Sequence, residues 1–165
     1  RQRLDLLLED LIYARKQNLK NLKNLRTYCQ NQPAIKSNLG YLQSIPGIGF
    51  ITAVTLLANI GDPGNLNNAR ELGGFIGLVP REHSTGERVT KGSIIHLGNR
   101  TLRSLLVEAA WVAIRRDMLL NQFYQRVRAK HHPSFGARKA IVAVARKLTM
   151  IVYSVLKEQR DYIPR

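Results

Sequence analysis

Ser84 is the residue here whose setting most suggests chemistry. It lies in Pro80-Arg-Glu-His-Ser-Thr-Gly-Glu-Arg-Val-Thr-Lys91, between His83 and Thr85-Gly86. A serine hydroxyl is a weak nucleophile until a base takes its proton. Arg81, Arg88 and Lys91 flank it and could neutralise a phosphate under attack. Attack on a phosphodiester would leave a phosphoserine link that keeps the energy of the broken bond. His83 and Glu82 are neighbours in sequence, which does not put them on the same face. Composition alone favours a loop in which Ser-Thr-Gly only turns the chain.

Two further pieces point to phosphate. In Pro46-Gly47-Ile48-Gly49, two glycines bracket a small apolar residue, just before a run that reads as helix from Phe50. Glycine permits φ > 0. The arrangement leaves backbone N–H groups at a helix start, beside its positive dipole end, where a phosphate oxygen binds without a side chain. This is the helix-hairpin-helix pattern, a clamp for nucleic-acid backbone. The competing reading is a plain helix–helix turn. In Gly98-Asn99-Arg100-Thr-Leu-Arg103, Asn99 is a good N-cap. Arginine in a first turn opposes the helix dipole, so Arg100 and Arg103 belong there either facing phosphate or as a solvated basic face.

The elements that position these residues read as helices. Leu4, Leu7, Leu8, Leu11, Ile12, Leu19, Leu22 and Leu25 recur at steps of three, four and seven, with no Gly or Pro before Pro33. That predicts one helix over about 1–32. Its leucine stripe calls for a partner helix, either a second copy or its own domain. Helices are expected over 35–43, 50–60 (stopped by Gly61-Asp-Pro-Gly64), 66–74 (with the Asn67-Asn68 pair as an alternative start), 99–117, 119–130 and 137–157. Residues 75–79 read as a short apolar segment, 81–97 as an ordered loop with room for a small hairpin, and 131–136 as a linker. Phe123 and Trp111 are expected in the core. Tyr124, His131, His132 and Phe135 lie among cations where bases or sugars could stack. The fold class is all-α: a long coiled-coil helix over 1–32, then a helical domain over 33–165 with a helix-hairpin-helix motif and one irregular serine-containing loop.

Charge limits the partner. Lys and Arg total 26 against 11 acids, a formal net charge of +15 over 165 residues. Such an excess in a small domain needs a polyanion, with nucleic acid favoured over an anionic membrane surface. Hydrophobic residues make up 44%, enough for a core. No run approaches the roughly 20 apolar residues a bilayer span needs. Cys29 is the one cysteine, which excludes an internal disulfide and suits a reducing, cytoplasmic setting. The histidines and Cys29 show no zinc spacing, so no metal site is expected in this chain.

In order, Ile45-Pro-Gly-Ile-Gly49, Gly77-Leu-Val-Pro-Arg-Glu82 with Ser84-Thr-Gly86, and Gly98-Asn99 with Leu102-Arg103 resemble one domain type. It is the C-terminal transposase domain of the insertion-sequence family that includes pilin-gene DNA invertases and bridge-RNA-guided recombinases. The resemblance covers about residues 40–157, and 1–32 is similar to the coiled-coil segment before that domain. It implies a serine nucleophile for DNA strand cleavage and exchange, and a separate RNase-H-fold domain whose acids bind Mg²⁺. It also implies a structured guide RNA that reads the target, and action as a homo-oligomer on bacterial, nucleoid-associated DNA. The family's Ser-Ser-Gly-type loop reads Ser84-Thr85-Gly86 here. Its first position puts the nucleophile at Ser84, and its second would put Thr85 there. We assign Ser84, the only serine of the triplet, and give Ser93 a structural part. The resemblance carries nucleic-acid contact to Gly47, Ile48, Gly49, Arg81, Arg88, Lys91, Asn99, Arg100 and Arg103.

The acidic domain is absent from these residues, and the chain starts at Arg1. Both lead to the expectation of a fragment, a processed piece or a degenerate element. The alternatives in other classes are a non-catalytic helix-hairpin-helix binding module and an RNA-binding structural protein.

Overall fold

The computed structural model describes residues 2–65, 67–85, 88–94 and 97–164; for Gln2, Pro63 and the strand residues the description is of the backbone. The chain divides into two compact units, Arg1–Ser37 and Asn38–Arg165.

The first unit is dominated by α1 (Gln2–Gln30), with Asp5 complementing the positive end of its dipole. Its turn ends as Asn31 N–H reaches Thr27 O, just ahead of Pro33, which disfavours helical backbone in the residue before it. Leu4, Leu7, Leu8, Leu11 and Leu19 are exposed. α2 (Pro33–Gln43) begins two residues earlier than the expected Ile35, because proline's fixed φ suits the first helical position.

In the second unit the end of α2 buries Leu39 and Leu42, and a turn over 44–49 leads into α3 (Phe50–Ile60). A single 3-10 turn (Pro63–Asn65) precedes α4 (Ala69–Ile76). An antiparallel ribbon follows, β1 (Pro80–Thr85) and β2 (Arg88–Ile94). The rest is α5 (Arg100–Arg116), α6 (Met118–Ala129) and α7 (Pro133–Glu158). α7 packs against α4, α5 and α6. Its fully buried Val144, Leu148 and Val152 share the core with Leu72 of α4 and Leu102 and Leu106 of α5. Buried alanines on both helices, Ala109, Ala110 and Ala113 on α5 and Ala140 and Ala145 on α7, suit close packing.

The all-α class holds, and the structure corrects four local expectations. The serine segment is a β-ribbon, so the small hairpin admitted within 81–97 forms in place of an irregular loop. α4 starts at Ala69 and runs through Phe75 and Ile76. Asn68 Oδ1 accepts from Glu71 N–H at 2.9 Å and Glu71 Oε2 from Asn67 N–H at 3.1 Å, so the Asn67-Asn68 pair, the alternative start in the sequence, caps the helix. The 131–136 linker is mostly helix: His132 caps α7 and Pro133 opens it. Trp111 is 39% exposed, tilted against the buried Tyr124 with ring centroids 6.0 Å apart. Among the described residues no helix is long and apolar enough to cross a membrane.

Candidate nucleic-acid interface

The Pro46–Gly49 turn is built by burial and by a missing side chain. Ile45 and Ile48 are buried, and Ile48 N–H bonds back to Ile45 O at 3.1 Å. Ile48 thus anchors the turn, its side chain buried and its N–H already bonded within the protein. Gly47 has φ +89°, and a Cβ there would sit 2.2 Å from Ala109 O. The turn thus lies directly on the backbone of α5, an approach only glycine allows. Gly49 is exposed and forms the N-cap of α3 with extended backbone and no side-chain cap. The first-turn donors of α3 gather beside the helix's positive end. An open cavity of about 440 Å³ runs along the turn, with Arg116 and Val112 of α5 on its other side.

The ribbon carrying Ser84 is pinned at its foot. Leu78 N–H donates to Gly73 O and Asn99 N–H to Phe75 O, each at 2.9 Å. Gly77 (φ +81°) and Gly98 (φ +101°) cross backbone to backbone: a Cβ on Gly98 would lie 2.7 Å from Gly77 N. Arg103 Nη1 bridges the carbonyls of Ile76 and Leu97, at 3.3 Å each. Its guanidinium holds the two ends of the ribbon together.

Within the ribbon Ser84 pairs with Val89, Thr85 with Arg88 and Glu82 with Lys91. The register slips between Pro80 and Glu82, so Arg81 stands opposite Gly92 and Ser93 in a bulge, a device that re-aims a strand.

Asn99 begins α5. Its Oδ1 accepts from Leu102 N–H at 3.1 Å and its Nδ2 donates to Asn59 Oδ1 at 2.7 Å. The side chain thus caps α5 and ties it to α3. Arg100 is exposed on the first turn. Helix rise sets Asn99 and Ala109 ~15 Å apart along the axis. The foot of the ribbon and the Pro46–Gly49 turn are therefore stationed at different heights on one rod, with Arg116 at its far end.

Sequence reasoning missed a buried polar junction. Asp117 is 5% exposed, between α5 and α6. Its Oδ1 accepts from Leu119 and Leu120 N–H, and its Oδ2 from the Tyr162 hydroxyl at 2.7 Å. Tyr162 N–H donates to Ser44 Oγ at 2.7 Å, and Ser44 Oγ–H to Tyr41 O. The tail is thereby tied to both the turn and α5. Burial, then the hydrogen bond to Asp117, then its charge raise the Tyr162 pKa well above the ordinary tyrosine value. The N-cap position of Asp117 was readable; its partner more than forty residues on was not. Among the described residues no three His, Cys, Asp or Glu converge to hold a metal.

Residues 39–125 match the family model described as Transposase IS116/IS110/IS902 family. The chain is similar to a transposase for insertion sequence element IS1111A of Coxiella burnetii, 34% identical over 129 residues, covering 73% of the chain and 33% of that protein. It is similar to the pilin gene-inverting protein of Moraxella bovis, 33% identical over 135 residues, 81% of the chain and 41% of that protein. The transposase for insertion sequence element IS1328 of Yersinia enterocolitica is 37% identical over 118 residues, 69% of the chain and 34% of that protein. The chain thus spans about a third to two fifths of the length of these relatives.

Proposed function

This chain belongs to the IS116/IS110/IS902 transposase family, and we propose that it is the DNA-binding, nucleophile-bearing part of a DNA recombinase. The observation that carries the reading is that the family match at 39–125 contains the Pro46–Gly49 turn, the Ser84 ribbon and the start of α5 together. The relatives' names, transposase and pilin gene-inverting protein, support DNA as the substrate.

In this reading the backbone of Gly47 and Gly49 holds a phosphate, Ile48 anchors the turn because its N–H already bonds Ile45 O, and Arg100 with the ribbon cations Arg81, Arg88 and Lys91 neutralises the neighbouring phosphates. Asn99 and Arg103 act chiefly by holding the ribbon foot, since their side chains already bond protein groups. Ser84 Oγ bonds to phosphorus as the bond from phosphorus to the leaving deoxyribose oxygen breaks. The hydroxyl proton passes to a base and the leaving oxygen is protonated. Attack of a strand end on the phosphoserine reverses these transfers and frees Ser84. The described residues do not fit a Mg²⁺ site, and no step here runs through the ion. Acids that bind it belong, on this proposal, to an RNase-H-fold domain outside this chain. A guide RNA, pairing of α1 between copies through its exposed leucines, and work on cytoplasmic DNA complete the reading.

A second reading is a binding module in which Ser84 only builds the ribbon. It is favoured by the glycine N-cap of α3, which brings no side-chain cap, and by the cavity beside it, neither of which involves Ser84. The test is covalent trapping. The chain would be mixed with Mg²⁺, nicked DNA and a full-length family member lacking its own serine. A DNA-linked peptide containing Ser84, lost in Ser84→Ala and kept in Thr85→Ala, is expected. Absence of any adduct, with DNA binding intact in all three proteins, would leave the binding module standing.

A further inference from the structure

Residues 118–157, all of α6 and nearly all of α7, contain eight Lys or Arg and no Asp or Glu. An ion pair joins Arg160 and Glu158, beyond that stretch. Cations without acidic neighbours repel one another and favour a polyanion.

Several rest on aromatic rings instead. Lys147 Nζ lies 5.0 Å from the Phe123 ring centre and Lys139 Nζ 4.7 Å from that of Phe135. Phe135 differs from Tyr124, which is buried: it is 39% exposed on the first turn of α7. The His132 ring stacks on it at 5.7 Å and 28°, and His131 lies 6.4 Å away. Gly136 lets this turn come close to the end of α6: a Cβ there would lie 2.9 Å from Arg128 O. The corner thus gathers an exposed aromatic stack with Arg128, Lys130, Arg138 and Lys139, all exposed.

We propose that this α6–α7 corner is a docking surface for unpaired DNA, one base stacking on Phe135 while the surrounding cations take the flanking phosphates. A phosphate-only surface has no use for an exposed ring; a ring face takes a base only when the base is unpaired. The base replaces Lys139 on the ring, exchanging the weaker cation–ring contact for a stack, and the flexible lysine moves to phosphate. The surface lies beyond the family match, which ends at residue 125. The choice of DNA rests on the function proposed above, because strand cleavage and exchange unpair DNA beside the site.

The test is fluorescence anisotropy with labelled oligo-dT, an abasic strand of equal length, oligo-rU and duplex DNA. Phe135→Ala is expected to bind oligo-dT about ten-fold more weakly, to bind the abasic strand like the parent protein, and to be rescued by Phe135→Tyr. Phe135→Leu, which keeps apolar bulk, gives the same reading should the alanine variant fail to fold. Unchanged oligo-dT binding, or an equal loss on the abasic strand, overturns the proposal. A Phe135 effect confined to oligo-rU overturns the choice of DNA. Duplex binding together with no Phe135 effect on oligo-dT sinks this inference alone, whereas no binding of any strand sinks the proposed function with it.

Discussion

Tyr162 donates its hydroxyl to Oδ2 of Asp117 at 2.7 Å, while Oδ1 of the same carboxylate caps α6. One buried acid thus fixes the angle between two helices and anchors the C-terminal tail. Removing the phenol hydroxyl in Tyr162→Phe should cost about 1 kcal/mol. Asp117→Ala, which loses cap and tail together, should cost about 2–3 kcal/mol. Urea unfolding of the variants measures both.

The same contact makes stability fall in alkali. A tyrosinate beside Asp117 is disfavoured, so the Tyr162 pKa is higher folded than unfolded. Its stabilisation is fully present below the unfolded value, about 10, and is lost as pH rises from there through the folded value. Melting temperatures taken from neutral pH to pH ~11 should fall more steeply for the parent chain than for Tyr162→Phe. Parallel curves would remove the link.

Gly47 and Gly49 separate packing from binding. A Cβ at Gly47 meets Ala109 O at 2.2 Å and needs φ +89°, whereas Gly49 has nothing within 4 Å. Gly47→Ala should lose about 3 kcal/mol or more through clash and strain. Gly49→Ala should lose at most about 1 kcal/mol yet weaken duplex DNA binding several-fold by crowding the phosphate. Paired denaturation and binding curves decide; equal affinity for parent and Gly49→Ala would contradict the clamp.

The two arginines of the α5 start should behave oppositely. Arg103→Ala frees the carbonyls of Ile76 and Leu97, so hydrogen exchange should quicken through 80–94. Arg100→Ala should leave stability within about 0.5 kcal/mol and reduce the log–log salt slope of duplex binding by about 0.9, the share of one phosphate. Faster ribbon exchange in Arg100→Ala, or none in Arg103→Ala, would reverse these assignments.

Legibility in the sequence followed the range of the interaction. Helix starts written in adjacent residues, such as Asn99 before α5, were readable because a cap acts over three positions. The class and the helix spans followed from apolar periodicity. The ribbon around Ser84 was harder, because only the Gly77–Gly98 crossing, twenty-one residues apart in sequence, closes it. His131–Gly136 read as a linker because its His-Pro-Ser-Phe-Gly string holds turn formers, yet His132 and Pro133 are a helix start. The exposure of Trp111 had no local signal: on α5 the core was filled by alanines and leucines.

α5 works as an indexed shaft. The ribbon foot engages it at Asn99 and Arg103, the glycine turn seats at Ala109, and the tail locks at Asp117. Adding or deleting one residue between these stations would rotate everything beyond it by ~100° and shift it ~1.5 Å. The length of this helix is therefore a constraint apart from its composition. Substitutions along its exposed side can drift, but insertions within it would throw the serine ribbon and the Pro46–Gly49 turn out of phase.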